Sequence, residues 1–259
     1  MNVYELDTES IARLRRDFDE QGVLIRRDVD LRADDQARLA QLLVGADSSH
    51  VYSHHMSNRE PEEYATHGRL LFHSDMMWAD DPMELLSLYG LEVEEPSVPT
   101  VFVNARHAWE TLPDELRIRV AGLNAVHVTG QQQRGDNTAE LLPVEHERPR
   151  SATKPIAYRH PRTGRTVLYV SEMMTSHIDG LPPDESEELL DALFSHLYAP
   201  ANTWQHEWRA RDLVVWDNLA MQHARPAVAL DGPARVLRKV IAPKPVLTVA
   251  RPQLGTTSS

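Results

Sequence analysis

Leu213-Val214-Val215-Trp216-Asp217-Asn218-Leu219-Ala220-Met221-Gln222-His223 is the stretch whose reading decides the fold. An apolar run of strand length meets Asp-Asn, whose short polar side chains satisfy the backbone groups of a turn, and a second run then leads to a histidine. It reads as a strand, an Asp-Asn turn and a return strand bearing His223. Asp217 and Asn218 read as turn formers rather than ligands, and Trp216 and Met221 as core.

Similar short apolar strings recur outward from this point: Leu70–Phe72, Leu85–Leu91, Val101–Val103, Val167–Val170 and Val236–Ile241. Their Val and aromatic content, separated by turn residues, predicts antiparallel strands in a sandwich or barrel. Ile11, Leu14 and Phe18 at helical spacing predict a helix over 8–20, stopped by Gly22 and followed by a short strand at Val23-Leu24-Ile25. Further helices are expected over 34–44, ending at Gly45, over 107–121, and from Asp184, with Leu189, Leu190, Leu193, Phe194 and Leu197 on one stripe. Residues 46–70 are polar and aperiodic and read as a long substrate loop. Residues 129–155 read as a mobile insertion, and the tail after Pro252 as frayed. No repeat or linker divides the chain, so one domain over 1–259 is expected.

Composition removes several classes of function. The 259 residues hold no cysteine, which excludes disulfides, thiolate zinc, iron–sulfur clusters and a cysteine nucleophile. A formal net charge of −12 argues against a nucleic-acid footprint, which needs clustered Lys and Arg. No signal pattern opens the chain, and its apolar runs are far short of the ~20 residues of a membrane helix. A cytoplasmic protein with a small-molecule substrate, no nucleic-acid or membrane partner and an open question of homo-oligomerisation is expected.

Thirteen histidines invite a metal, but most sit in polar surroundings where a solvated imidazole is the simpler reading. His73-Ser74-Asp75 differs, because it follows Leu70-Leu71-Phe72. On a strand, residues two apart share a face, so the imidazole and the carboxylate would project together. A barrel can bring His223 beside them, and two His with one carboxylate leave open positions on a divalent metal, the arrangement of non-haem iron(II) oxygenases. An interior hydrogen-bonded pair is the plainer reading of the same residues. Twelve residues after His223 comes a cationic strand, Ala234-Arg235-Val236-Leu237-Arg238-Lys239-Val240-Ile241. Arg235 and Arg238 are three apart, so only one should point inward, where a guanidinium matches a carboxylate bidentately.

In this order, these elements resemble the taurine dioxygenase family of iron(II)/2-oxoglutarate-dependent oxygenases. The likeness runs over most of the chain. It takes in the N-terminal helix with Gly22-Val23-Leu24-Ile25, His73-x-Asp75, Leu85–Leu91, Pro96–Asn104, Leu112-Pro113 and Gly122-Leu123-x-Ala125-x-His127. It continues through Pro161-x-Thr163-Gly164-Arg165-x-x-Leu168-Tyr169-Val170 and Ile178-x-Gly180-Leu181 to Asp217-Asn218, His223 and the Arg strand. The resemblance implies an α+β fold with a double-stranded β-helix (jelly-roll) barrel core and flanking helices. It implies iron(II) held by His73, Asp75 and His223, with 2-oxoglutarate and O2 as cosubstrates. Arg235 matches the arginine that grips the distal carboxylate of 2-oxoglutarate, with Arg238 as runner-up and Thr100 as a second contact. Lys239 falls near a position that binds an anionic substrate group in some relatives, and Tyr52, His54 and His55 fall in the substrate loop. Met77 and Met173 suit the apolar wall of a substrate site, or plain core.

This chain departs from the family in reading Val98-Pro99 where a Gly-Gly pair precedes the threonine, Phe72-His73-Ser74-Asp75 where Trp-His-Thr-Asp is usual, and Arg211 in place of a glycine. Halogenating relatives replace the carboxylate ligand, so retention of Asp75 favours hydroxylation-type chemistry. The implied activity is oxidation of an unactivated C–H of a small organic molecule in metabolite or natural-product tailoring, releasing succinate and CO2, with desaturation or cyclisation as other outcomes. Two other readings of the residues stand beside it: a zinc hydrolase on the same His/Asp/His set, and a non-enzymatic small-molecule-binding barrel.

Overall fold

A computed structural model describes residues 6–46, 51–60, 67–81, 83–129 and 150–243. The deciding stretch forms β12 (Leu213–Asp217) and β13 (Met221–Val228), but the two are not a hairpin. β12 joins one sheet and β13 another, so the Asp-Asn turn is a corner between sheets. The side chains explain this. Asp217 Oδ1 accepts from the backbone N–H groups of Leu219 and Ala220, while Asn218 reaches away to Asp75 and Met83, and these bonds redirect the chain instead of folding it back.

The first sheet has five strands. β1 (Val23–Arg26) pairs with β12, β12 with β4 (Leu85–Val93), β4 with β14 (Arg235–Ala242) and β14 with β2 (Tyr52–Ser57). The second has four, in the order β11 (Thr203–His206), β5 (Thr100–Asn104), β13 and β3 (Gly68–His73). A three-stranded sheet of β10 (Thr175–Ile178), β6 (Asn124–Val128) and β7 (Ser151–Pro155) and a pair, β8 (Ala157–Arg159) with β9 (Thr166–Leu168), complete the set. Every pairing is antiparallel.

Alternation along the strands divides the core in two. Leu213, Val215, Leu85, Tyr89, Val240 and Ala242 face outward from the five-stranded sheet. They pack with Phe18 of α1 (Thr8–Gln21) and Leu39, Ala40 and Leu43 of α2 (Ala33–Val44). Val214, Trp216, Leu86, Leu88, Leu237 and Ile241 face the other way, into a second cluster with Leu70 and Leu71 of β3, Phe102 and Val103 of β5 and the stripe of α5 (Pro183–Leu197). Helix α1 ends at Gly22, whose left-handed φ of 75° lets its N–H reach the Phe18 carbonyl before β1 begins.

Three expectations need correction. The helix expected over 107–121 is two short ones, α3 (Ala105–Glu110) and α4 (Asp114–Arg119), because Pro113 supplies no N–H and caps the second instead. The loop expected over 46–70 contains β2, whose period is disguised by the polar Ser53, His54 and His55 at a sheet edge. The insertion expected over 129–155 ends in β7; residues 130–149 lie outside the described residues. Among the described residues, no helix is long and apolar enough to cross a membrane.

Candidate active site

His223 of β13 lies directly across from His73 of β3, and the two rings are 4.3 Å apart between centroids. Asp75 is not on the strand. β3 ends at His73, two residues before Asp75, and the chain then turns, with Met76 at a left-handed φ of 60°; the Asp75 carboxylate faces the imidazoles. Asp75 Oδ1 is 3.1 Å from His73 Nε2 and 3.6 Å from His223 Nε2. Asn218 holds that turn from the far corner: its Oδ1 accepts from the Asp75 N–H (2.8 Å), and its Nδ2 donates to the Asp75 carbonyl (2.9 Å) and the Met83 carbonyl (2.8 Å). Asp217 beside it is fixed by His160 Nε2 (2.9 Å) and Arg162 Nη2 (2.6 Å). Burial raises the Asp217 carboxyl, but these two partners outweigh it and keep the group below its ordinary range.

The three potential ligand atoms lie within 4.8 Å of one another. His73 Nδ1 meets the Leu71 carbonyl at 2.8 Å, so the proton sits on Nδ1 and the Nε2 lone pair faces Asp75. Burial, then the His73 ring, holds His223 well below the usual imidazole range, so it too offers a lone pair at neutral pH. Burial pushes the Asp75 carboxyl up, but the Lys239 ammonium beside it overrides this and holds the group well below its ordinary range. Two imidazoles and one carboxylate are a donor set suited to a divalent first-row metal.

Beside this cluster a small cavity lies between the two large sheets. Met56, Leu86, Leu88, Trp216, Arg235 and Lys239 line it from one sheet, and Leu70, Thr100, His223 and Arg225 from the other. Lys239 Nζ donates to Asp75 Oδ2. Arg235 donates through Nε to the Val98 carbonyl (3.0 Å) and through Nη2 to Thr100 Oγ1 (3.3 Å); no carboxylate among the described residues pairs with it. Burial, then the nearby Arg225, lowers its pKa to about 9, so the guanidinium is still charged at neutral pH.

Not all the residues singled out in the sequence gather here. Arg238 faces the opposite side of β14, donating through Nε to Gln36 Oε1 and through Nη2 to the Leu31 carbonyl, both at 2.7 Å, with its guanidinium over the Tyr89 ring. Strand parity removes it from the cavity, and with it the reading of Arg238 as a cosubstrate clamp. His54 pairs across the strands with Lys239; burial first, then Lys239, lowers its pKa to about 4. His55 pairs with Arg238 and is exposed, so it points away from the cavity. Met77 and Met173 are buried in the core and do not line the cavity. The Tyr52 side chain lies outside the described residues.

Asn218, read as a turn former, turns out to brace Asp75. Arg225 went unread, although it stands two residues after His223 and strand parity could have found it. Its Nη2 donates to the His67 (3.0 Å) and Gly68 (2.9 Å) carbonyls at the start of β3.

Pentalenolactone F synthase from Streptomyces arenae is 35% identical over 157 residues, covering 55% of this chain and 50% of that protein. The alpha-ketoglutarate-dependent 2,4-dichlorophenoxyacetate dioxygenase of a Burkholderia strain is 26% identical over 160 residues, covering 59% of this chain and 51% of that protein. The matched stretches thus span about half the length of these curated relatives. The crystal structure of a taurine dioxygenase from Burkholderia xenovorans superposes with a TM-score of 0.72 at 26% identity, covering 92% of this chain and 83% of that one. The family model for taurine catabolism dioxygenase TauD, TfdA matches residues 1–241, and the chain belongs to that family.

Proposed function

We propose that this protein is an iron(II)- and 2-oxoglutarate-dependent dioxygenase that oxidises an unactivated C–H of a small organic molecule, in metabolite or natural-product tailoring. The observation that carries the reading is a single cavity with a His73/Asp75/His223 cluster beside it and, in its wall, a buried guanidinium, Arg235, that no carboxylate pairs with among the described residues. A buried cation without a counter-charge is costly unless a ligand supplies one, and a carboxylate matches it in shape and charge. The likeness to pentalenolactone F synthase and to an alpha-ketoglutarate-dependent dioxygenase supports the same reading. We further infer that the two large sheets are the walls of a jelly roll, the cavity being its interior.

In this reading His73, Asp75 and His223 hold the metal, and Arg235 with Thr100 binds the distal carboxylate of 2-oxoglutarate. Iron(II) there supplies, with 2-oxoglutarate and O2, the oxidising power to convert a C–H to C–OH, while 2-oxoglutarate leaves as succinate and CO2. His73 keeps its Nε2 free by carrying its proton on Nδ1, which donates to the Leu71 carbonyl. Asn218 keeps the Asp75 backbone from turning away. Leu70, Leu86, Leu88 and Trp216 exclude water from the cavity and so strengthen each electrostatic contact inside it. Lys239, which neutralises Asp75, orients an anionic group on the substrate, with His54 beside it as a neutral hydrogen-bonding partner.

The test is an anaerobic titration of the apo protein with iron(II) and then 2-oxoglutarate. A weak visible charge-transfer band that needs both additions, and is lost in His73→Ala, is the expected result. Absence of the band from folded protein overturns the reading. Zinc-dependent turnover without O2 would replace it with hydrolysis, a chemistry that gives Arg235 nothing to do.

A further inference from the structure

Thr100 Oγ1 accepts two hydrogen bonds from groups that can only donate: Trp208 Nε1 at 3.0 Å and Arg235 Nη2 at 3.3 Å. A hydroxyl has two lone pairs and one proton. With both lone pairs taken, the only free valence is the O–H, and no acceptor among the described residues receives it. Thr100 lines the same cavity as Arg235. We infer that Trp208 is a positioning residue that fixes the polarity of the Thr100 hydroxyl, so that this end of the cavity presents donors only and selects a carboxylate over a carboxamide. The inference rests on the proposed binding of 2-oxoglutarate beside Arg235.

The indole is held where this requires. Trp208 is 1% exposed, with the His206 ring edge-on at 4.6 Å and the Arg235 guanidinium 5.9 Å from its ring centroid. The chain that follows is clamped to β4: Gly90 N–H donates to the Asp212 carbonyl and Arg211 N–H to the Gly90 carbonyl, both at 2.9 Å. A Cβ at Gly90 would stand 2.6 Å from the Arg209 carbonyl oxygen, so that close approach is open only to glycine. The Arg209 N–H donates in turn to Asp212 Oδ2 (2.8 Å). These bonds hold the backbone that follows Trp208, and burial against His206 holds the indole with its N–H toward Thr100.

A carboxylate oxygen accepts from both Arg235 and the Thr100 O–H, whereas an amide NH2 in the same place sets donor against donor. Without the Trp208 N–H, one Thr100 lone pair is free, the hydroxyl can rotate to accept, and the bias is lost.

The probes are 2-oxoglutarate and its C5 amide, 2-oxoglutaramate, titrated anaerobically with iron(II) into the wild type, Trp208→Phe, Thr100→Val and the double variant, reading dissociation constants from the chelate band. Trp208→Phe should weaken 2-oxoglutarate by about fivefold to tenfold, the worth of one hydrogen bond. It should narrow the preference for acid over amide by a similar factor and leave iron(II) affinity unchanged. In the Thr100→Val background the same substitution should do nothing, because the residue acts through that hydroxyl. An equal loss in both backgrounds, or unchanged acid-over-amide preference in Trp208→Phe, overturns the inference while leaving the proposed function standing. No 2-oxoglutarate binding by wild type overturns both. If Trp208→Phe does not fold, benzothienylalanine at position 208 keeps the bicyclic ring without the N–H, and the same outcomes apply.

Discussion

Strand β14 carries two buried arginines three residues apart, and the two faces of its sheet treat them oppositely. On the outer face Arg238 is built into the packing of α2, its donors spent on Gln36 and the Leu31 carbonyl and its plane against Tyr89. On the inner face the Arg235 guanidinium donates to the Val98 carbonyl and Thr100 Oγ1, lies near the Trp208 ring and borders the cavity. Residue type and burial are the same. Each guanidinium donates through Nε and Nη2; what differs is what lies beyond those bonds, α2 and the Tyr89 ring over Arg238 and the cavity beside Arg235. A buried arginine marks a binding site when it borders a cavity, and marks architecture when a helix covers it.

The sharpest way to break this comparison is to exchange each guanidinium for an isobutyl group. Arg235→Leu should weaken 2-oxoglutarate about 100-fold, the usual loss when one partner of a desolvated charge pair is removed. The anaerobic chelate titration measures it, and an unchanged dissociation constant would put the carboxylate elsewhere. Arg238→Leu should leave that constant within about twofold but lower unfolding free energy by about 2 kcal/mol, since the Gln36 amide oxygen and the Leu31 carbonyl lose their donors. Urea unfolding measures this, and a change in cosubstrate affinity without a change in stability would reverse the two assignments.

The corner between the sheets gives a smaller effect. Asn218→Ala should weaken iron(II) binding about tenfold, as loss of a group that orients a metal ligand does. Competition with a chelating dye reports it, and unaltered affinity would mean that the Asp75 turn holds itself. The smallest effect concerns His54, on the inner face of β2. Folded, it stays neutral down to about 4, whereas the unfolded chain takes up the proton near 6.5. The unfolded state therefore binds more protons between these values, so stability is full above about 6.5 and falls as the pH drops toward 4. His54→Gln should flatten that part of the profile of melting temperature against pH. An unchanged slope would mean that the imidazole titrates alike in both states.

Much of this was legible in the sequence because period-two alternation is a local property. Val214 and Trp216 against Leu213 and Val215, and Arg235 and Lys239 against Arg238, separate by parity alone. The helices α1 and α2 were likewise legible from spacing and glycine stops, and α5 from its apolar stripe. What the sequence did not reveal depended on long-range contacts. β2 hid because an edge strand beside a polar cavity needs few apolar residues. The Asp217-Asn218 turn looked like a hairpin because its two side chains spend their bonds on distant partners, His160, Arg162 and Asp75. Asp75 faces the histidines from beyond the end of β3, its backbone braced by the distant Asn218, a contact that composition does not announce. Trp208, which touches Thr100 only through the tertiary fold, gave no local signal at all.

β2 lies at an edge of the five-stranded sheet, with Ser53 and His55 exposed and Met56 lining the cavity. An exposed edge offers unpaired backbone groups to any other strand it meets, and polar outward residues discourage that encounter. The strand that lines the cavity is therefore also one of the sheet's guards against aggregation. Efforts to widen the range of accepted molecules by making this segment more hydrophobic would trade away solubility. Substitutions at Leu86 or Leu88 of β4, which lies between β12 and β14, reach the same cavity without touching that guard.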